Sequence, residues 1–247
     1  MKAAAVALVA ACLAACGSLP TGGADIAASP WAEQSGVHAT GPVPAWAHQR
    51  FPGKMATRFD YIRLDGRDTV AARSESSASM LRQVVRVEPR DLGRFRFSWK
   101  VPALIEQADL ASRENDDAPV RIVLAFEGDR TRFSGRDAAL SELVRALTGE
   151  PLPYATLMYV WCNKRPAGTV ITSPRTDRIR KLVVESGAVR LNQWLDYERD
   201  IRADYERVFG EAPGALVGIG IMTDSDNTRT HTRAWYGPLR LLPVASR

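Results

Sequence analysis

The 247-residue sequence predicts an all-β chain, a two-sheet antiparallel β-sandwich of jelly-roll-like form with one or two short inserted helices. Three observations carry this reading. Nine or so short segments alternate apolar and polar residues with the period of two of a half-buried strand. Clusters of Gly, Pro, Asn and Asp separate them. Two sheets built from such strands must each hide one face, and a sandwich hides both against each other. The composition, 45% hydrophobic and 25% charged, is that of a globular domain and excludes a disordered, collagen-like or multi-span membrane protein.

In chain order, residues 1–15 read as a leader. Lys2 and the α-amine make a short positive region, and the apolar run from Ala3 to Leu13 falls short of the ~20 residues a transmembrane helix needs. Leu13-Ala14-Ala15-Cys16 is similar to the lipobox of bacterial lipoproteins, which makes Cys16 the expected lipidation site and the lipid anchor the expected membrane contact. A plain secretory leader is the competing reading. By the same resemblance, Gly17 after the cysteine favours the outer membrane, with the protein facing the periplasm. Residues 16–52, rich in Pro, Gly and Ala, read as a flexible tether, ordered at most near Trp31 and Trp46. Residues 53–247 then form the single sandwich domain.

Strands are expected over 57–64, 69–74, 79–87, 94–101, 120–126, 156–162, 179–185, 215–223 and 232–242. The clearest is 94–101, where Phe95, Phe97, Trp99 and Val101 point one way and Arg94, Arg96, Ser98 and Lys100 the other. The runs at 120–126 and 216–222 are almost continuously apolar, as in central strands covered on both faces. Leu140, Leu143, Val144 and Leu147 have helical spacing and precede Gly149, so a helix is expected over 137–147. A second, over 203–209, would end at Gly210.

Charge and cysteine content narrow the partners. The formal charge is +5, and losing residues 1–15 removes only Lys2. An envelope address and the absence of any Lys/Arg run exclude nucleic acid and favour acidic glycans, other acidic polymers or anionic lipid head groups. Of three cysteines, Cys12 and Cys16 fall in the leader, so Cys162 alone remains and no disulfide framework or cysteine zinc site can form.

Several motifs resemble a bacterial family known only as a domain of unknown function, DUF3047. They are Ser98-Trp99-Lys100-Val101, Asp116-Asp117-Ala118-Pro119, Tyr159-Val160-Trp161 with Asn163, Glu198-Arg199-Asp200 leading to Asp204-Tyr205 and Phe209-Gly210, and the closing 222–228 segment with Tyr236-Gly237. Cys162 departs from the pattern, where a small residue such as Gly is expected. The resemblance implies one domain in an envelope setting and supplies no catalytic residue.

Two candidate sites follow. Asp224 and Asp226, with Asn227 and Thr228, place oxygen donors on alternate residues of a tight loop, which suits Ca²⁺; Asp116 and Asp117 are the natural further metal ligands. The Gly and distant Glu of a full calcium loop are missing, and side-chain capping of a turn explains the same residues. For ligand binding, Arg94, Arg96 and Lys100 form a cationic strand face and Tyr159 and Trp161 are candidate stacking aromatics, with core packing as the competing reading for the aromatics. No catalytic residue is assigned. Glu127, Glu185 and Glu198 lack the spacing of a paired acid and base, and His38, His48 and His231 accompany no nucleophile motif. The expected function is an envelope module that binds a glycan or acidic polymer. A glycan-processing hydrolase or lyase and a structural outer-membrane protein are the alternatives. If Cys16 carries the anchor, Cys16→Ser should move the protein from the sedimenting membranes to the soluble periplasmic fraction.

Overall fold

The computed structural model describes residues 26–36 and 45–242. Cys16 and residues 1–15 lie outside the described residues. The elements are α1 (Pro30–Gln34), β1 (Ala47–Arg50), β2 (Arg58–Leu64), β3 (Arg67–Glu75), β4 (Ser79–Val87), β5 (Arg94–Lys100), β6 (Ala118–Phe126), α2 (Gly135–Thr148), β7 (Ala155–Cys162), β8 (Val170–Thr172), β9 (Ile179–Ser186), β10 (Leu195–Asp200), α3 (Ile201–Phe209), β11 (Leu216–Asp224), β12 (His231–Tyr236) and β13 (Arg240–Leu241). They build a seven-stranded sheet in the order β1-β4-β11-β6-β7-β9-β8. The six-stranded sheet runs β10-β5-β12-β3-β2, with β13 paired to β5.

The period of two places the core. On β6, Val120, Ile122, Leu124 and Phe126 are fully buried between the sheets, and on β5 Phe95, Phe97 and Trp99 meet them from the other side. Phe97 of one sheet stacks on Tyr159 of the other with centroids 5.5 Å apart and planes 11° apart. Tyr236 ties the sheets by a polar contact, donating from β12 to the Met222 carbonyl of β11 at 2.6 Å. β6 and β11 are central strands, as their apolar runs predict.

Pairing is antiparallel except between β7 and β9, which are parallel. The chain leaving β7 first lays β8 one place further out, and β9 then returns into the gap between them. That order could not be read from strand periodicity, which is blind to direction. β10 was also hidden in the sequence, because its alternating residues, Leu-Asp-Tyr-Glu-Arg-Asp, are mostly charged.

Within the expected tether, 16–52, the described parts lie around Trp31 and Trp46, where the sequence allows order, and they join the core. Trp31 is fully buried and Trp46 nearly so, their ring centroids 4.8 Å apart, and both belong to the main core. β1 pairs along β4 from Ala47 to Arg50, and His48 bonds Ser79 Oγ at 2.8 Å. Ser29 caps α1 by accepting from Ala32 N at 3.2 Å. A Pro-rich stretch without periodicity can still join a core through two large aromatics, since each hides far more apolar surface than the backbone exposes. Trp31→Ala should therefore cost about 3–5 kcal/mol in urea or thermal unfolding; a tether residue would leave the midpoint unchanged.

Candidate functional site: a groove on the outer face of the seven-stranded sheet

Residues of alternate register on β4, β11, β6 and β7 point away from the core. They floor a groove of about 1300 Å³. Met80 and Val84 of β4, Met222 of β11, Val123 and Ala125 of β6 and Met158 of β7 make its base. Gly220 lets Met80 lie across β11, since a Cβ there would stand 2.6 Å from the Met80 sulfur. Val144 and Leu147 of α2 form one wall and Phe51 and Pro52 another. Phe126 and Tyr154 border the groove but are buried, and Phe51 is half-buried.

Charges rim this base. Arg82 pairs with Glu150 at 2.7 Å, and Arg86 with both Glu88 at 2.8 Å and Glu127 at 2.9 Å. One end is closed by a buried network. Arg121 Nε donates to Asp224 Oδ1 at 2.8 Å and its Nη2 to Asp224 Oδ2 at 2.9 Å and Asp116 Oδ1 at 3.1 Å. Lys181 Nζ donates to Asp116 Oδ2 and to the Leu110 carbonyl, each at 2.6 Å. Burial pushes Asp224 up to about 6 against the pull of Arg121. Burial, reinforced by Arg121, brings Lys181 down to about 8. Asp116 is also desolvated, but Arg121 and Lys181 outweigh that and hold its carboxyl below the usual range. Burial works against the Arg121 guanidinium too, yet the carboxylates of Asp224 and Asp116 raise it and keep it charged.

Three of the four acids proposed as metal ligands converge here, and the fourth, Asp116, is bonded instead to Arg121 and Lys181. Asp117, Asp224 and Asp226 each bring one oxygen within 4.8 Å of the others. Their donors, however, come from the protein. Asp117 accepts from Asn227 N at 3.2 Å and from Thr228 N and Oγ1 at 2.6 and 2.7 Å. Asp224 accepts from Arg121 and from Ala118 N at 3.1 Å, and Asp226 pairs with Lys54. For Asp117 these bonds match the competing reading, side-chain capping of the 225–230 turn, and a divalent cation would have to displace them beside the buried guanidinium.

The proposed ligand-binding face is also corrected. Tyr159 and Trp161 lie on the other sheet from Lys100 and point into the core, at 0% and 1% exposure. Tyr159 donates to Asp204 Oδ2 at 2.8 Å, which Arg199 also contacts at 2.8 Å, and Trp161 Nε1 donates to the Gly187 carbonyl at 2.9 Å. Arg94 and Arg96 do face solvent, but both pair with Glu198, at 3.3 and 2.6 Å. Lys100 is held by Asp65 at 2.8 Å. The neighbouring strand and turn thus supply the counter-charges. Glu127, Glu185 and Glu198 lie apart as well: at the groove rim, beside Tyr197 and Arg190, and on the outer face of the six-stranded sheet.

The sequence reading passed over Arg121, Lys181, Arg86 and the three groove methionines. A signal existed for two of them. Arg121 interrupts the apolar run of 120–126, and Lys181 stands beside Arg180 just before the apolar Leu182-Val183-Val184 of β9; a charge inside a buried strand is rare unless paired.

A two-sheet sandwich with an open groove on one outer face is the class of protein these observations define. The family described as "Protein of unknown function (DUF3047)" matches residues 44–240, and the chain belongs to it. Among solved structures the chain is similar to the xyloglucanase domain of NopAA, a type three effector from Sinorhizobium fredii, in complex with cellobiose. That similarity has 10% identity and a TM-score of 0.41, over 81% of this chain and 93% of that one. No curated protein matches the chain.

Removing the guanidinium while leaving its carboxylates buried should destabilise the fold strongly: Arg121→Met is expected to cost about 3–5 kcal/mol. EDTA should leave the melting midpoint of the unmutated protein where it is; a fall on chelation would restore the cation.

Proposed function

We propose that the protein is a non-catalytic binding module of the bacterial cell envelope, anchored through Cys16 at the outer membrane and facing the periplasm, whose groove takes an elongated acidic glycan or related polymer. One observation carries the non-catalytic part. Among the described residues, each carboxylate lining the groove is bonded to a cationic side chain: Glu88 and Glu127 to Arg86, Glu150 to Arg82, Asp116 and Asp224 to Arg121, and Asp226 to Lys54. Glycoside hydrolysis needs one acid that holds a proton and a second free to act as base or nucleophile. Asp224, whose carboxyl burial raises, is 3% exposed with both oxygens bonded to Arg121, so it does not present a proton to a ligand in the groove.

Arg82 and Arg86 support the acidic ligand. Their surface pairs are worth little in water, so a ligand carboxylate or phosphate can exchange for Glu150, Glu88 or Glu127 at small cost. The apolar base below them excludes water from one side of such a contact. The test is binding to a panel of acidic glycans by the full chain and by Arg82→Ala/Arg86→Ala. Losing two charge-assisted contacts of about 1.5–3 kcal/mol each should weaken binding at least tenfold and flatten its salt dependence. Unchanged affinity and salt slope would remove the groove from the function.

A further inference from the structure

Helix α2 is amphipathic, yet it buries little of its apolar side. Its buried residues are Asp137 and Ser141, whereas Leu143 and Leu147 are 56% and 62% exposed. Polar contacts hold it instead. Asp137 accepts from Thr176 Oγ1 at 2.5 Å, Arg136 donates to the Pro174 carbonyl at 3.0 Å, and Arg130 donates to Ser141 Oγ at 3.1 Å. Just beyond its C-cap, Glu150 pairs with Arg82 of β4. A helix of this length is marginal by itself in water and normally gains its stability by covering an apolar stripe. Here the stripe borders the groove through Val144 and Leu147, with Val84, itself 58% exposed, and the methionines on the sheet side.

We propose that this slot holds the acyl chain of an envelope lipid with an anionic head group. The inference rests on the groove being the ligand site and names the apolar part of what it binds. Three features favour an alkyl chain. The base is methionine and valine, adaptable and aliphatic; of the bordering aromatics Phe126 and Tyr154 are buried, and Phe51 stands in a wall, so no ring lies on the base for a sugar to stack on. The floor is the face of a sheet and not its edge, so a peptide laid there would bring backbone N–H and C=O groups with no ladder to join, whereas an acyl chain brings none. The α2 wall is about 21 Å long, which suits a long chain laid along it. For the head group, Arg175 lines the same groove and, among the described residues, forms no ion pair.

The test uses the full chain and cis-parinaric acid, a fatty acid that fluoresces in apolar surroundings. Lysophosphatidylglycerol below its micelle concentration should displace it, and zwitterionic lysophosphatidylcholine should do so at least tenfold less well. Val84→Asp and Leu147→Asp change exposed positions and should leave the melting midpoint unchanged; each should weaken lipid binding at least tenfold, while Val189→Asp, at a site 90% exposed on a loop that does not line the groove, should not. Failure of lysophosphatidylglycerol to displace the probe, equal displacement by both lipids, or full binding by the two groove variants would overturn the proposal. So would a dimer that Leu147→Asp converts to monomer without any lipid bound, since a second copy would then cover the stripe. Lost lipid binding with retained glycan binding would remove this inference alone. The reverse result would remove the glycan reading and leave the lipid.

Discussion

The layer of aromatic side chains between the sheets is the constraint on which the rest depends. Phe95, Phe97 and Trp99 from β5 meet Tyr159 and Trp161 from β7, with Phe97 stacked on Tyr159 and Trp99 and Trp161 centroids 6.5 Å apart. Large rings hide much apolar area, and rings offset or tilted against each other add attraction beyond that area. Because this layer consumes the inward side chains of both strands, any ligand must be met by the outward ones. The two outer faces differ in kind. On the six-stranded sheet, Arg94, Arg96 and Lys100 are matched locally by Glu198 and Asp65. On the seven-stranded sheet several outward residues of the central strands, Met80, Val84, Val123, Ala125, Met158 and Met222, are apolar, and that is where the groove opens.

The Arg121 network sets the end of that groove. It joins β6 and β11 to Asp116 in the long connection before β6, and Lys181 extends it to the Leu110 carbonyl of the same connection. That connection covers a second apolar cluster containing Leu110, Val160, Cys162 and Val183, so the charges and the cluster hold one loop together. Replacing such a buried ion network by apolar residues is often neutral for stability, while breaking one member is costly. Its contribution here is geometric: it specifies where the connection crosses the sheet and how much of the outer face stays open. The motifs that carry the family resemblance fall largely in ties of this sort. Asp116 and Asp224 belong to this one, Asp117 caps the neighbouring 225–230 turn, and Tyr159, Arg199 and Asp204 make another beneath α3.

Packing and dynamics meet at α2. A helix fixed by hydrogen bonds and one ion pair near its ends, with its apolar stripe uncovered, has few contacts that must break for it to shift, so it belongs to the less stable part of the domain. That is the property a wall of a binding groove needs. It also separates α2 from α3, whose Tyr205 and Val208 are buried in the core and whose position is thereby settled.

Most strand positions were legible in the sequence because alternation of apolar and polar residues is local. The segment 79–87 coincides with β4, and both inserted helices were visible from their spacing and closing glycines. The sequence offered Asp116, Asp117, Asp224 and Asp226 as candidate ligands of one cation, and three of them, Asp117, Asp224 and Asp226, come together. What they meet was decided only in three dimensions, since Arg121 and Asp224 are 103 residues apart and a side chain carries no label for so distant a counter-charge. Periodicity tells a strand that it has two faces; it does not tell which face turns inward when both are apolar, or which strand lies alongside. Tyr159 was therefore an open candidate for stacking until the second sheet covered it, and the helical spacing of Leu147 left open what its face would meet, which is the groove. Local sequence determined the elements, and the closing of one sheet on the other decided which side chains remain free to bind.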